Sequence, residues 1–168
     1  EIHERLVGSE MCIRDRFSND EICPERAVIM HYRKNGDTIS VRLSIGEDII
    51  KSLLELCEKE NIEFAQVNGI GAVSRATVGF YDVKKGEYMP KTFDEPMEII
   101  SLLGNMTRKD GKPYLHLHAA FSGEDCNVVG GHLNEAIIGV TAEIFVNIID
   151  GKMNRRVHPV TGINIFDI

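Results

Sequence analysis

Three histidines carry the most specific chemistry in the chain. His116 and His118 are spaced His-x-His, and His132 follows His118 by fourteen residues, preceded by Gly130-Gly131. Neutral imidazole is the commonest metal ligand among side chains, and three imidazoles with an open fourth position form a known catalytic zinc arrangement. On a β-strand, residues i and i+2 point the same way, so Tyr114, His116 and His118 share one face and Leu115, Leu117 and Ala119 the other. With the apolar face turned to a core, two imidazoles stand side by side. A double-glycine turn at Gly130-Gly131 then brings His132 back toward them, since glycine lets backbones approach without a Cβ clash. The alternative is a polar stripe on the solvent face of a sheet, with His132 a turn residue.

Other candidates are less specific. Asn68, Glu98 and Glu143 are candidates to orient a ligand imidazole or, for the carboxylates, to act as general base beside a metal. Each fits a sheet or interface position equally. His31 and His158 are isolated and read as solvated or turn residues. Cys57 lies on an apolar row with no base placed to activate it, which makes it a core residue. Gly69-x-Gly71 lacks the third glycine and the following helix of a dinucleotide fingerprint. No Ser-His-Asp order or phosphate loop is present, so the catalytic residues stay unassigned.

The elements that must position these residues are mostly strands. Val28, Met30 and Tyr32 alternate up to Asn35-Gly36, and residues 38–45 alternate beyond it, which predicts a hairpin. Ser44 to Glu47 matches a capping box, predicting a helix through about Glu60 with Ile49, Leu53 and Cys57 on its buried row and Asn61 as its stop. Residues 64–73 and 76–82 read as strands on either side of a glycine-rich bend, where the glycines make a bulge or tight turn, and residues 84–96 as a polar connection. Strands are expected over 97–106, over the His-x-His segment, around 128–133, over 137–149 as one strand or a bent pair, and over 162–168. Strands joined by short turns around one clear helix make a single α+β domain with a largely antiparallel sheet.

At 168 residues and 43% hydrophobic content, the chain can bury one sizeable core. A net charge of −7, with no basic tail, argues against binding a polyanion through its overall field. No apolar run is long enough to cross a membrane as a helix. Four scattered cysteines without a Cys-x-x-Cys pair suit reduced thiols, so the cytoplasm is the expected compartment. Residues 1–23 show no periodicity and resemble a translated sequencing adapter; they read as a non-native or disordered leader, with the domain over residues 24–168. Setting them aside leaves the balance acidic.

Five motifs occur in order: Gly69-x-Gly71 before a strand, Glu98-Ile99-x-Ser101-Leu102-x-Gly104, Gly111-x-Pro113-Tyr114-Leu115-His116-Leu117-His118-Ala119, Val129-Gly130-Gly131-His132-Leu133 and Thr141-x-Glu143. From about Arg26 to the C-terminus the sequence resembles the PPC (plant and prokaryote conserved) domain. That resemblance implies an antiparallel sheet with minor flanking helices, assembled as a homotrimer, in a stand-alone prokaryotic protein. It also implies a divalent metal, zinc being the expected ion, at His116, His118 and His132. Prokaryotic members are often labelled predicted DNA-binding proteins, a label taken from plant relatives that carry a basic AT-hook and lack the full histidine set. This sequence contains no AT-hook. Three roles are therefore in play: metal binding without assigned chemistry, DNA-associated regulation, and metal-dependent hydrolysis or small-ligand binding.

Overall fold

The computed structural model describes residues 30–168, so the expectation for residues 1–23 lies outside the described residues. The first hairpin joins β1 (His31–Asn35) to β2 (Thr38–Ser44), with Asn35 paired to Thr38 and Gly36 at φ 59° in the two-residue loop. The loop is thus Gly36-Asp37, one residue later than the Asn-Gly signal implies. Glycine at the first loop position meets the need for a left-handed φ.

The single helix among the described residues, α1, runs Ile49–Lys59. The capping-box residues do pair, Ser44 N–H donating to Glu47 Oε2 at 2.6 Å, but they close a turn ahead of the helix. Asp48 is the residue that caps it, accepting from the Ile50 and Lys51 amides at 2.8 and 3.4 Å. At the other end Asn61 takes φ 49° and stops the helix as expected. Ile49, Leu53, Leu56 and Cys57 are fully buried against a sheet formed largely by β6 and β7 at that point. The flanking helices implied by the resemblance are absent among the described residues.

Downstream come β3 (Ala65–Asp82), β4 (Glu87–Phe93), β5 (Met97–Lys109), β6 (Lys112–Ser122) and β7 (Val128–Ile148), then a short hairpin of β8 (Arg155–Val157) and β9 (Asn164–Phe166). The large sheet has the order β1-β2-β7-β6-β5-β3-β4, every pair antiparallel. A further pairing of β7 with β3 closes β3, β5, β6 and β7 into a ring of hydrogen-bonded neighbours. The closure depends on two long strands where the sequence suggested interruptions. β3 carries the glycine-rich bend as register shifts at Gly69/Gly71 and Gly71/Val73, so it bends without ending. β7 runs unbroken from 128 to 148, its first part paired to β6 and its last to β2.

Residues 84–96 are a correction, since β4 fills much of that stretch and pairs along β3 from Ala76↔Phe93 to Asp82↔Glu87. The core face is lined by Leu117, Ala119, Phe121, Leu102, Met106, Val67, Ile144 and Val146, all buried. Leu115 packs against that core, and β6 therefore turns its Leu-Leu-Ala face inward as alternation requires. Tyr114, His116 and His118 are left on the opposite face. No helix among the described residues is long and apolar enough to cross a membrane.

Candidate metal centre

The three histidines meet across two neighbouring strands. His118 of β6 is the direct cross-strand partner of His132 of β7, and His116 sits two residues along on the same face. Ring centroids are 5.3 Å apart for His116–His118, 5.2 Å for His116–His132 and 5.5 Å for His118–His132. One nitrogen from each ring lies within 4.8 Å of the others. A zinc tetrahedron with bonds of about 2.05 Å has donor–donor edges of roughly 3.4 Å. Rotation about χ1 and χ2 spans that difference without moving the backbone.

Gly130 and Gly131 serve this meeting differently from the turn expected of them. Both lie inside β7, paired to Ala120 and Ala119. A Cβ on Gly131 would sit 2.6 Å from the Gly79 carbonyl oxygen of β3, and one on Gly130 would collide with the Ala119 carbonyl oxygen of β6. Two glycines without side chains let β7 lie tightly between β6 and β3, and that closeness sets His132 opposite His118.

His116 and His132 are half-buried and His118 is exposed. Burial, then the neighbouring His132, Arg155 and His118, push the His116 imidazolium down to a pKa of about 4. Burial and then His118 hold His132 below its ordinary value. Both rings are therefore neutral at pH 7, the protonation state a metal requires.

The triad lies in a cavity of about 510 Å³. Its walls come from β3 and β4, through Phe80, Tyr81 and Tyr88, and from the approach to β9, through Ile163 and Asn164. Behind His116 stands Arg155 of β8, only 8% exposed and stacked between the rings of Tyr114 and Phe166 at 4.6 and 4.7 Å. Its guanidinium donates to Thr107 Oγ1 (2.9 Å), the Asn164 carbonyl (3.2 Å) and Asn105 Oδ1 (2.5 Å), Asn105 being the β5 partner of His116. No local pattern in the sequence marks Arg155, because its neighbours come from β5, β6 and β9. Tyr114 was visible as the residue sharing a face with the histidines.

The remaining candidates are dispersed. Asn68 pairs with Leu103, and Leu103 with His118, which puts Asn68 on the triad's face but two strands, about 10 Å, away. Glu98 pairs with Ser122 and lines a separate cavity with Ala72 and Gly139. Glu143 pairs with Arg42 and Ile70 on the far part of β7. None of these three lines the triad's cavity. His31 is exposed on β1, and His158 accepts from the Thr161 amide at 3.2 Å within a turn. Cys57 is buried in the core as expected, although a basic side chain does stand near it. Arg108 donates to its carbonyl at 3.4 Å, yet burial outweighs that charge and pushes the thiol up.

A family model for the Plants and Prokaryotes Conserved (PCC) domain matches residues 30–150. Among solved structures, a protein from Bacteroides thetaiotaomicron provisionally described as DNA-binding is 34% identical, with a TM-score of 0.80 over 82% of this chain and 96% of its own. A metal-containing protein from Archaeoglobus fulgidus is 36% identical, with a TM-score of 0.73 over 82% of this chain and 97% of its own. A PPC protein from Pyrococcus horikoshii is 30% identical, with a TM-score of 0.73 over 86% and 98%. No curated protein matches the sequence. The family match, these relatives and the ring of strands agree, and the chain belongs to the Plants and Prokaryotes Conserved domain family, the PPC family of the motif resemblance.

Proposed function

We propose that this chain binds a divalent metal, zinc foremost, through His116, His118 and His132, and does so as a homotrimer. The observation that carries the reading is the convergence of three imidazole nitrogens within 4.8 Å from two directly opposed strands. Depressed proton affinity at His116 and His132 favours the neutral donors, and an all-imidazole set suits zinc. The similar Archaeoglobus protein is described as metal-containing. A bound zinc, held by these three histidines, would supply a Lewis acid beside the cavity. The chain's own part is to hold three neutral imidazoles on rigid strands and to surround the cavity with aromatic walls.

The trimer reading is supported by apolar exposure on the triad's face of the sheet. Leu103 (53% exposed), between His118 and Asn68, is joined there by Ile70 and Phe145. Covering such a patch with a second copy removes it from water. The widely spaced cysteines, with Cys57 and Cys126 both free thiols, favour the cytoplasm.

Metal content measured after purification from zinc-supplemented culture tests the site, with His118→Ala as control because that side chain is exposed and its loss spares the core. Near-stoichiometric zinc in the natural chain and its loss in the variant is the expected result. Equal content in both overturns the site. The mass in solution tests the trimer.

DNA binding is the second reading, favoured by the provisional description of the Bacteroides relative. The net charge of −7 opposes it. It requires salt-dependent retention of duplex DNA, and no retention at low salt removes it.

A further inference from the structure

The cavity around the triad contains three tyrosines, and their hydroxyls are not equivalent. Tyr81 donates its proton to the Thr161 carbonyl at 2.9 Å, and Tyr88 donates to Asn134 Oδ1. Tyr114 instead accepts from Asn164 Nδ2 at 3.3 Å, and its own proton has no acceptor among the described residues. This free donor lies on the histidine face of β6, two residues before His116.

Directly behind the Tyr114 ring is a cation with no carboxylate partner among the described residues. The Arg155 guanidinium is buried, and all three of its hydrogen-bond acceptors are neutral. No carboxylate among the described residues comes within ion-pair distance of it. A buried cation left unneutralised is costly, and an anion placed nearby relieves it. Phe80, Tyr88 and Ile163 add aromatic and apolar lining to the cavity.

We infer that the cavity takes a small carboxylate with an apolar or aromatic body, its carboxylate oxygen receiving the Tyr114 hydroxyl proton in a hydrogen bond and its charge answering Arg155. The inference rests on the proposed metal reading for what occupies the triad, but its selectivity comes from Tyr114 and Arg155. Neutral compounds of the same shape satisfy the walls and leave the guanidinium uncompensated. The free phenol proton and the unpaired guanidinium both select for a negative oxygen acceptor. Tyr114 is the ligand-contacting residue, and Arg155 acts through it and through the field.

Benzoate and its neutral counterpart benzamide are suitable probes, titrated calorimetrically into the zinc-supplemented protein with zinc content assayed on the same sample. Benzoate is expected to bind roughly tenfold tighter than benzamide. Tyr114→Phe should lower that preference about three- to tenfold, weakening benzoate more than benzamide because a hydrogen bond to a charged acceptor is the stronger, while leaving zinc content unchanged. Arg155→Met should abolish the preference. Since Arg155 is buried and its replacement also removes structural hydrogen bonds, Tyr114→Phe carries the decision, with circular dichroism checking its fold. Equal affinity for the two probes, or a preference untouched by Tyr114→Phe, overturns the inference. Stoichiometric zinc with no benzoate binding also overturns it and leaves the metal reading standing. A Tyr114-dependent preference in protein that holds no zinc does the reverse.

Discussion

Arg108 and Arg155 are both buried, 6% and 8% exposed, and both approach β5, yet they are satisfied in different ways. Arg108, on the strand itself, reaches under helix α1 to the carbonyls of Ile62 and Cys57 at 3.0 and 3.4 Å and to the Glu58 carboxylate at 3.3 Å. It ties the end of the helix to the sheet, and its charge is answered within the chain. Arg155 reaches three neutral oxygens and two aromatic rings, bonding to Asn105 and Thr107 of the same strand, beside the triad. Its position is fixed, and no carboxylate among the described residues neutralises its charge. A buried cation that ends at carbonyls and a carboxylate reads as architecture. One that ends at neutral groups beside a cavity keeps a field available to whatever enters.

The largest effect expected from breaking this contrast is on stability. Arg108→Met removes a charged donor from two buried carbonyls, leaving them the Ile62 amide and the weaker Cys57 thiol, and should lower unfolding free energy by about 2 kcal/mol, with zinc content unchanged. Urea titration reads the first and metal analysis the second. Arg155→Met should cost less, about 1 kcal/mol, because removing an unneutralised buried cation offsets part of the lost hydrogen bonding. If it costs as much as Arg108→Met, the two arginines are doing the same job. Glu58→Gln sharpens the comparison further, since the Glu58 side chain is 60% exposed. It should cost no more than about 0.5 kcal/mol, which would put the anchoring of Arg108 on the carbonyls.

A separate effect is expected in the acid range. With His116 held near pKa 4 against an ordinary 6.5, the unfolded chain takes up a proton that the folded chain refuses between those values. Stability of the EDTA-treated protein should therefore be level above pH 6.5, fall as pH drops toward 4, and level again below it; His132, shifted the same way, adds to the slope. Arg155→Met should raise the His116 value, narrowing that window, and Arg108→Met should leave it in place. NMR titration of the imidazoles follows both.

The contrast also explains what could be read from the sequence. The hairpin, the helix and the strand bearing His116 and His118 announce themselves because each has a local signal: a glycine in the loop, a 3.6-residue row ending at Asn61, an alternating His-Leu-His run. β4 had none. Six of its seven residues are exposed and it contains Pro90, as suits an edge strand that buries little. The 69–73 glycines fit a bulge or a tight turn equally in the sequence, and only pairing with both β5 and β7 resolves them as a bulge within one strand. At the site, the three histidines and the face of Tyr114 were legible from spacing. Arg155 was not, because it meets Tyr114, Asn105 and Phe166 through tertiary contacts spread from residue 105 to residue 166.

The direct pairing of His118 with His132 has a consequence for how the molecule assembles itself. Side chains alternate across a sheet, so a slip of one residue between β6 and β7 would turn His132 to the opposite face and dismantle the triad. Metal capture would then proofread strand alignment, since only the correctly registered chain offers three nitrogens together. Refolding with zinc present should yield a larger fraction of native protein than refolding in chelator followed by zinc. The weak pairing specificity of a Gly-Gly segment would then be corrected by coordination chemistry.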